Sequence, residues 1–313
     1  MPVVYSWDDL KYQYSYIKCF NLKTINLTLV IYYNDELVCG WPLTLIRNDK
    51  YELTTNTKNI MAPIFIKNTS NKIINKVNSF CCEILNEFCK IFNIENISLD
   101  HQFFPYKINE NWYRRFMEYG ARAYVRNDVY TNLSLDVNVI HEKFRKSYRS
   151  LINFGKKNYS LRILTNINKE EFDILKNMHI KIAGRQTRSD ETWDLQRESI
   201  NNSNSFVAII YQNNKIIGWG LFELTKDECY FGVGVFERKL FYEPISHYLQ
   251  SEIIDYLKEK NNVKWYYIGN RAYIGDYKQP TGKELNISYF KEGFATDFGL
   301  NITTIISTKD MEK

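Results

Sequence analysis

The chain has little that would tie it to a membrane, a metal or an oxidising compartment. No apolar run approaches the ~20 residues that a membrane-spanning helix needs. The opening stretch, MPVVYSWDDLKYQYSY, lacks the charged-then-apolar layout of a signal peptide. The six cysteines form no CxxC pair, and no histidine stands at metal-ligand spacing from them. Cys81, Cys82 and Cys89 fall instead in an apolar helical pattern, where cysteine acts as a small hydrophobe. These absences predict a cytoplasmic protein with reduced thiols, no bound metal and no membrane segment. The net charge is only +5. That suits an anionic small molecule and falls short of a dedicated nucleic-acid binder. There is no P-loop, dinucleotide fingerprint or metal motif.

With 313 residues, 44% of them hydrophobic, the chain can fill two medium cores. Its two halves repeat one order of elements. In the first, Ile25 to Ile46 reads as a hairpin turning at Asn34-Asp35-Glu36, with a short strand at Tyr51 to Thr54. A helix follows from about Asn71 to Phe92, with Ile73, Val77, Phe80, Ile84 and Phe88 as its buried stripe. Then come a strand at Asn96 to Leu99, a helix around Trp112, and two strands, Arg122 to Val125 and Tyr130 to Leu135. In the second half, Phe206 to Leu224 is a hairpin and Cys229 to Phe236 a strand. A helix starts at Pro244, a favoured first helical residue. A strand at Lys264 to Ile268, a helix at Asn286 to Glu292 and closing strands complete it. Strands alternating with helices predict an α/β fold, here as two related domains, residues 1–138 and 139–313. Between the halves, Ile140 to Asn158 carries an apolar stripe of Phe144, Tyr148, Leu151 and Ile152, with six Lys and Arg around it. Such a face is either solvated or a positive rim for an anionic substrate.

The stretch NISYFKEGF, Asn286 to Phe294, resembles the fourth helix of the GNAT acyltransferases. Tyr289 stands in that helix's tyrosine position and Gly293-Phe294 in its Gly-Phe position. Two GNAT-like domains in tandem are the arrangement of the Fem-type, or FemAB-like, acyltransferases. FRKSYRSLINFGKK resembles the basic interdomain helix of that group. AGRQTRSDETWDL and EPISHYLQSEIIDYL are similar to segments of FemAB-like proteins from bacterial surface-polysaccharide loci. The resemblance implies two mixed, mostly antiparallel sheets flanked by helices. It also implies an N-acyltransferase that moves an acyl group from acyl-CoA to the amine of a nucleotide-linked amino sugar. One alternative is a Fem-type aminoacyltransferase using aminoacyl-tRNA on peptidoglycan, although no long charged arm is seen. Another is a binding module that has lost catalysis. GVFERKLFYEPISHY departs from the coenzyme A-dependent pattern, because Gly234 stands there without the Gly-rich turn that presents backbone N–H groups to a pyrophosphate.

An amine attacking a thioester needs a polarised carbonyl and a proton for the leaving thiolate. The resemblance casts Tyr289 as that acid, at the coenzyme A sulfur. Glu223, or His247 in the first turn of its helix, is a base acting through water. The plainer readings are a strand-end carboxylate and a packed histidine. Arg238 and Lys239 would hold coenzyme A. Arg185 and Arg188, three apart, with Thr187 and Trp193, suit a diphosphate and a ring. Asn270 and Arg271 follow a strand, where α/β sites gather. Lys291 reads as an exposed helix lysine.

Overall fold

The computed structural model describes residues 23–47, 49–55, 59–102, 110–277 and 279–312. The opening stretch and Cys19 lie outside them. Contacts divide the described residues into two units, 23–126 with 299–312, and 127–298. This differs from the expected cut after residue 138.

In the first unit, β1 (Lys23–Asn26), β2 (Leu29–Tyr33), β3 (Glu36–Trp41), β4 (Thr44–Arg47) and β5 (Tyr51–Thr54) form hairpins. Asn34 and Asp35 take positive φ of 51° and 61° at the β2–β3 turn, as tight hairpins require. Short β6 (Ile60–Met61) and β7 (Ile64–Phe65) lead to helix α1 (Asn71–Ile91), capped by the Ser70 side chain. Its buried residues include Val77, Cys81, Cys82, Leu85 and Cys89, whereas Phe80 is 49% exposed. The buried face is thus rotated from the expected stripe. Periodicity places apolar residues on one side but does not choose between overlapping stripes, and here the small thiols take the sheet side. β8 (Asn96–Gln102), α2 (Glu110–Glu118) and β9 (Arg122–Asn132) follow. β9 is one continuous strand where the sequence suggested two.

The second unit contains α3 (Val137–Lys143), α4 (Tyr148–Asn158), β10 (Ser160–Leu164), α5 (Lys169–Ala183), α6 (Asp190–Asn201), β11 (Ser205–Gln212) and β12 (Lys215–Leu224). Next come β13 (Glu228–Phe236), α7 (Ile245–Lys260), β14 (Trp265–Arg271), α8 (Gly282–Glu292) and β15 (Asp297–Ser307). Its strands run in the order β10-β11-β12-β13-β14-β9, antiparallel except between β13 and β14. One core, with Tyr148, Ile152, Leu249 and Ile253, gathers α4 and α7 on the sheet. A separate one, with Phe172, Trp193, Val207 and Trp219, gathers α5 and α6. Most of β15 belongs to the first unit, where Asn301 to Ser307 pair antiparallel with Gln102 to Asn96 of β8.

Candidate functional site

β13 and β14 stay in parallel register only at Glu228↔Trp265, Cys229↔Tyr266 and Tyr230↔Tyr267. Beyond that point the strands part, β13 running on to Phe236 and β14 to Arg271. Parted parallel strands expose facing backbone edges that an extended ligand can pair with.

Helix α8 follows β14. Thr281 and Glu284 nucleate it with a capping box. Its last carbonyls are held by side chains from the α3–α4 connection. Arg145 Nη2 donates to the Tyr289 carbonyl at 3.0 Å, and Tyr148 Oη donates to that of Phe290 at 2.9 Å. The Arg145 N–H donates to the Gly293 carbonyl at 2.9 Å. A Cβ on Gly293 would stand 2.2 Å from the Tyr148 ring, so the glycine of the Gly-Phe pair is a packing requirement. Phe294 is fully buried against Phe144 and Tyr148. Tyr289 is 53% exposed. Its ring lies 3.7 Å from the Arg145 guanidinium and 5.6 Å from that of Arg271. Arg271 is anchored to Glu292 at 2.7 Å and to Ser288 at 3.2 Å.

Lys291 is not the exposed helix lysine that the sequence suggested. Its Nζ lies 2.2 Å from where a Cβ on Gly269 would stand, and Gly269 has φ +138°, a conformation open to glycine. Gly269 is two residues past Tyr267, where β13 and β14 part. Burial lowers the Lys291 pKa below its ordinary value. No carboxylate stands at ion-pair distance from it among the described residues. Residues two apart project roughly 200° apart around a helix, so Lys291 and Tyr289 face different ways. The sequence held no signal for the burial of this lysine.

His247 joins the same cluster. Its ring packs edge-on to Tyr148 at 4.4 Å and Phe290 at 4.9 Å. Burial, and then the nearby Arg145 charge, lower its pKa to about 4. The ring is therefore neutral at pH 7, but the cause is enclosure rather than the helix end, and so low a pKa makes it a weak base. Glu223, near the end of β12, has its Oε1 3.2 Å from where a Cβ on Gly232 would stand. Asn270 and Arg271 are the last residues of β14 rather than a loop beyond it.

Arg238 donates to the Ile182 carbonyl, and Lys239 is exposed beside it in a 3-10 turn, Arg238–Leu240. Pro244 precedes α7 as its N-cap, and no side chain caps that end. In the expected substrate loop, Arg185 is exposed, whereas Trp193 is a core residue of α6, 1% exposed. It cannot serve as an open stacking platform, because the Arg188 guanidinium lies 4.9 Å over its ring and His179 packs against it. Arg188 Nε and Nη1 and Thr187 Oγ1 are buried with no hydrogen-bond partner among the described residues. Buried guanidinium groups in that state call for an anion. Among the described residues, no cluster of His, Cys, Asp and Glu could hold a metal, and no helix is long and apolar enough to cross a membrane.

Solved structures share this architecture. FemX superposes with a TM-score of 0.63 at 10% identity, over 92% of this chain and 90% of that one. L-PGS from Bacillus licheniformis gives 0.59 at 10% identity, over 94% and 86%. A tandem GNAT protein from the clavulanic acid biosynthesis pathway gives 0.54 at 9% identity, over 91% and 83%. The chain has a tandem GNAT fold. No family model matches the sequence, and no curated protein matches it. At such identities the likeness speaks for the fold.

Proposed function

We propose that the protein is an amide-forming acyltransferase whose transfer site lies where β13 and β14 part beneath Lys291. That parting, with an unpartnered cation beside it, carries the reading. An acyl donor laid along the open strand edges would bring its carbonyl toward Lys291. The acceptor amine attacks the carbonyl carbon, and the Lys291 ammonium stabilises the oxyanion that forms. As the tetrahedral intermediate collapses, the bond to the leaving oxygen or sulfur breaks, the amine gives up its proton to solvent water, and Tyr289, which faces the solvent, returns a proton to the leaving group through that water. Arg188, with Thr187, holds an anionic part of the acceptor, such as a diphosphate.

For the donor we favour an aminoacyl ester on tRNA, the substrate of the peptidoglycan Fem-type enzymes that the sequence left as an alternative. The 3-10 turn between β13 and α7 offers no Gly-rich cradle for a pyrophosphate. FemX and L-PGS superpose at higher TM-scores than the tandem GNAT protein whose description names AcCoA. The mild net charge is no obstacle, because a tRNA held by its acceptor end needs only local cations. Lys143, Lys146 and Lys157 are exposed on the α3–α4 segment. The second reading, acyl-CoA to a nucleotide-linked amino sugar, draws on the AGRQTRSDETWDL resemblance and on the open Arg188 guanidinium, which suits a nucleotide diphosphate. Supplying charged tRNA or acyl-CoA with nucleotide-linked amine acceptors, and weighing the products by mass spectrometry, separates the two. Transfer from charged tRNA alone supports the first reading. Transfer from acyl-CoA alone overturns it for the second, and transfer from neither leaves a binding module.

A further inference from the structure

Helices α3, α4 and α7 line an open cleft of about 340 Å³ that the transfer reading does not use. This volume is at the small end for ligand cavities, which run from roughly 300 to 1,000 Å³. Most of the charges around it are settled. Asp255 Oδ1 lies 2.6 Å from His141 Nε2. Lys156 Nζ is 3.3 Å from Glu252 and 3.6 Å from Asp255. Two charged lining groups of opposite sign, Arg149 and Glu142, are left over. Among the described residues neither side chain has an ion pair or hydrogen bond, and they do not pair with each other. Ser251 also lines the cleft. It is 1% exposed, yet its Oγ has no hydrogen-bond partner. A buried hydroxyl left unpaired lowers stability unless a ligand or water meets it. Phe144 and Ile152 supply an apolar wall, and Asn153 an amide.

We propose that this cleft binds a free amino acid. A net-neutral ligand carrying one charge of each sign satisfies both leftover groups at once. Its carboxylate meets the Arg149 fork, its ammonium meets Glu142, and the Ser251 hydroxyl reaches its polar end. The ligand's side chain rests on Phe144 and Ile152. A single-charge ligand would meet only one of the two groups and would bind more weakly.

Calorimetry on the full chain, with the set of protein amino acids and their N-acetyl and carboxamide derivatives, tests this. At least one amino acid should bind in the micromolar to millimolar range, and each single-charge derivative should bind about tenfold more weakly or worse. Arg149→Gln should weaken the amino acid while leaving its carboxamide unchanged. Glu142→Gln should weaken the amino acid while leaving its N-acetyl form unchanged. Both positions are exposed, so the variants should fold, which circular dichroism checks. No saturation by any amino acid at millimolar concentration would overturn the proposal. So would binding that survives both substitutions. No acyl transfer is measured, so neither outcome bears on the donor.

Discussion

In the unit of residues 23–126 and 299–312, one polar cluster closes on itself, although Asn86 Oδ1 and Asn301 Oδ1 are buried without a hydrogen-bond partner among the described residues. Asp100 Oδ1 accepts from Asn59 Nδ2 at 2.7 Å and from Thr303 Oγ1 at 2.8 Å, and His101 meets Thr304 Oγ1 at 2.8 Å. In the unit of residues 127–298, among the described residues, Arg188 Nε and Nη1, Thr187 Oγ1 and Ser251 Oγ are buried without hydrogen-bond partners, and no carboxylate stands at ion-pair distance from Lys291. A closed network stiffens its surroundings, whereas open groups cost stability until something binds. The Asp100 cluster is of the first kind, and the groups around Arg188 and Lys291 are of the second.

The sharpest break in that contrast would come from Lys291. If its ammonium stabilises the oxyanion, Lys291→Met should lower kcat by roughly 10²–10³-fold with little change in KM. Wild-type activity should also fall as pH rises through the lowered lysine pKa, since the charged form does the work. Tyr289→Phe should cost roughly 10²-fold by removing the proton donor. Normal turnover in a folded Lys291→Met would refute the site, and an intact Tyr289→Phe would leave the proton to water.

Next is a pair of substitutions with contrasting effects. Arg188→Ala removes a guanidinium whose Nε and Nη1 lack hydrogen-bond partners among the described residues but which stacks on Trp193, so melting temperature should change little while the acceptor KM rises about tenfold or more. Asp100→Ala strands Asn59 and Thr303, so stability should fall by about 1–3 kcal/mol with kcat unchanged. Thermal melts alongside steady-state kinetics decide both, and a destabilised Arg188→Ala would mean that the guanidinium is structural.

The smallest effect concerns acid. Burial lowers His101 and His247 alike to about 4, the first opposed by Asp100 and the second reinforced by Arg145. Both folded values lie below the unfolded one of about 6.5. The unfolded chain therefore takes protons first, and stability present above that pH is lost as pH falls toward 4. His101→Gln should flatten this slope, by removing the share of the closed network, and His247→Gln should do the same for the other unit. A wild-type melting temperature that stays level across this window would count against both burials.

Much of the second unit was legible in the chain. The Tyr289-to-Phe294 motif, the hairpin of β11 and β12, and the α7 stripe each rest on neighbours in sequence, where spacing and turn residues act directly. The α1 face, the single run of β9 and the placing of Trp193 were not, because each depends on what lies opposite. Trp193 follows two arginines in sequence, as a substrate ring would, but it fills the core beside Phe172 and His179. Glu223 and His247 read as comparable bases from sequence. The structure puts one across Gly232 and the other in an aromatic enclosure.

By itself the sequence determined the alternation of strands and helices and the helix bearing Tyr289. Local periodicity, capping and turn chemistry act over a few residues and survive in the unfolded chain's pattern. Only the tertiary structure decided that β13 and β14 part after Tyr230 and Tyr267, that Lys291 turns onto Gly269, and that Arg145 closes the end of α8. These depend on burial and on unpaired groups between residues far apart in sequence. Those quantities exist only once the chain has folded.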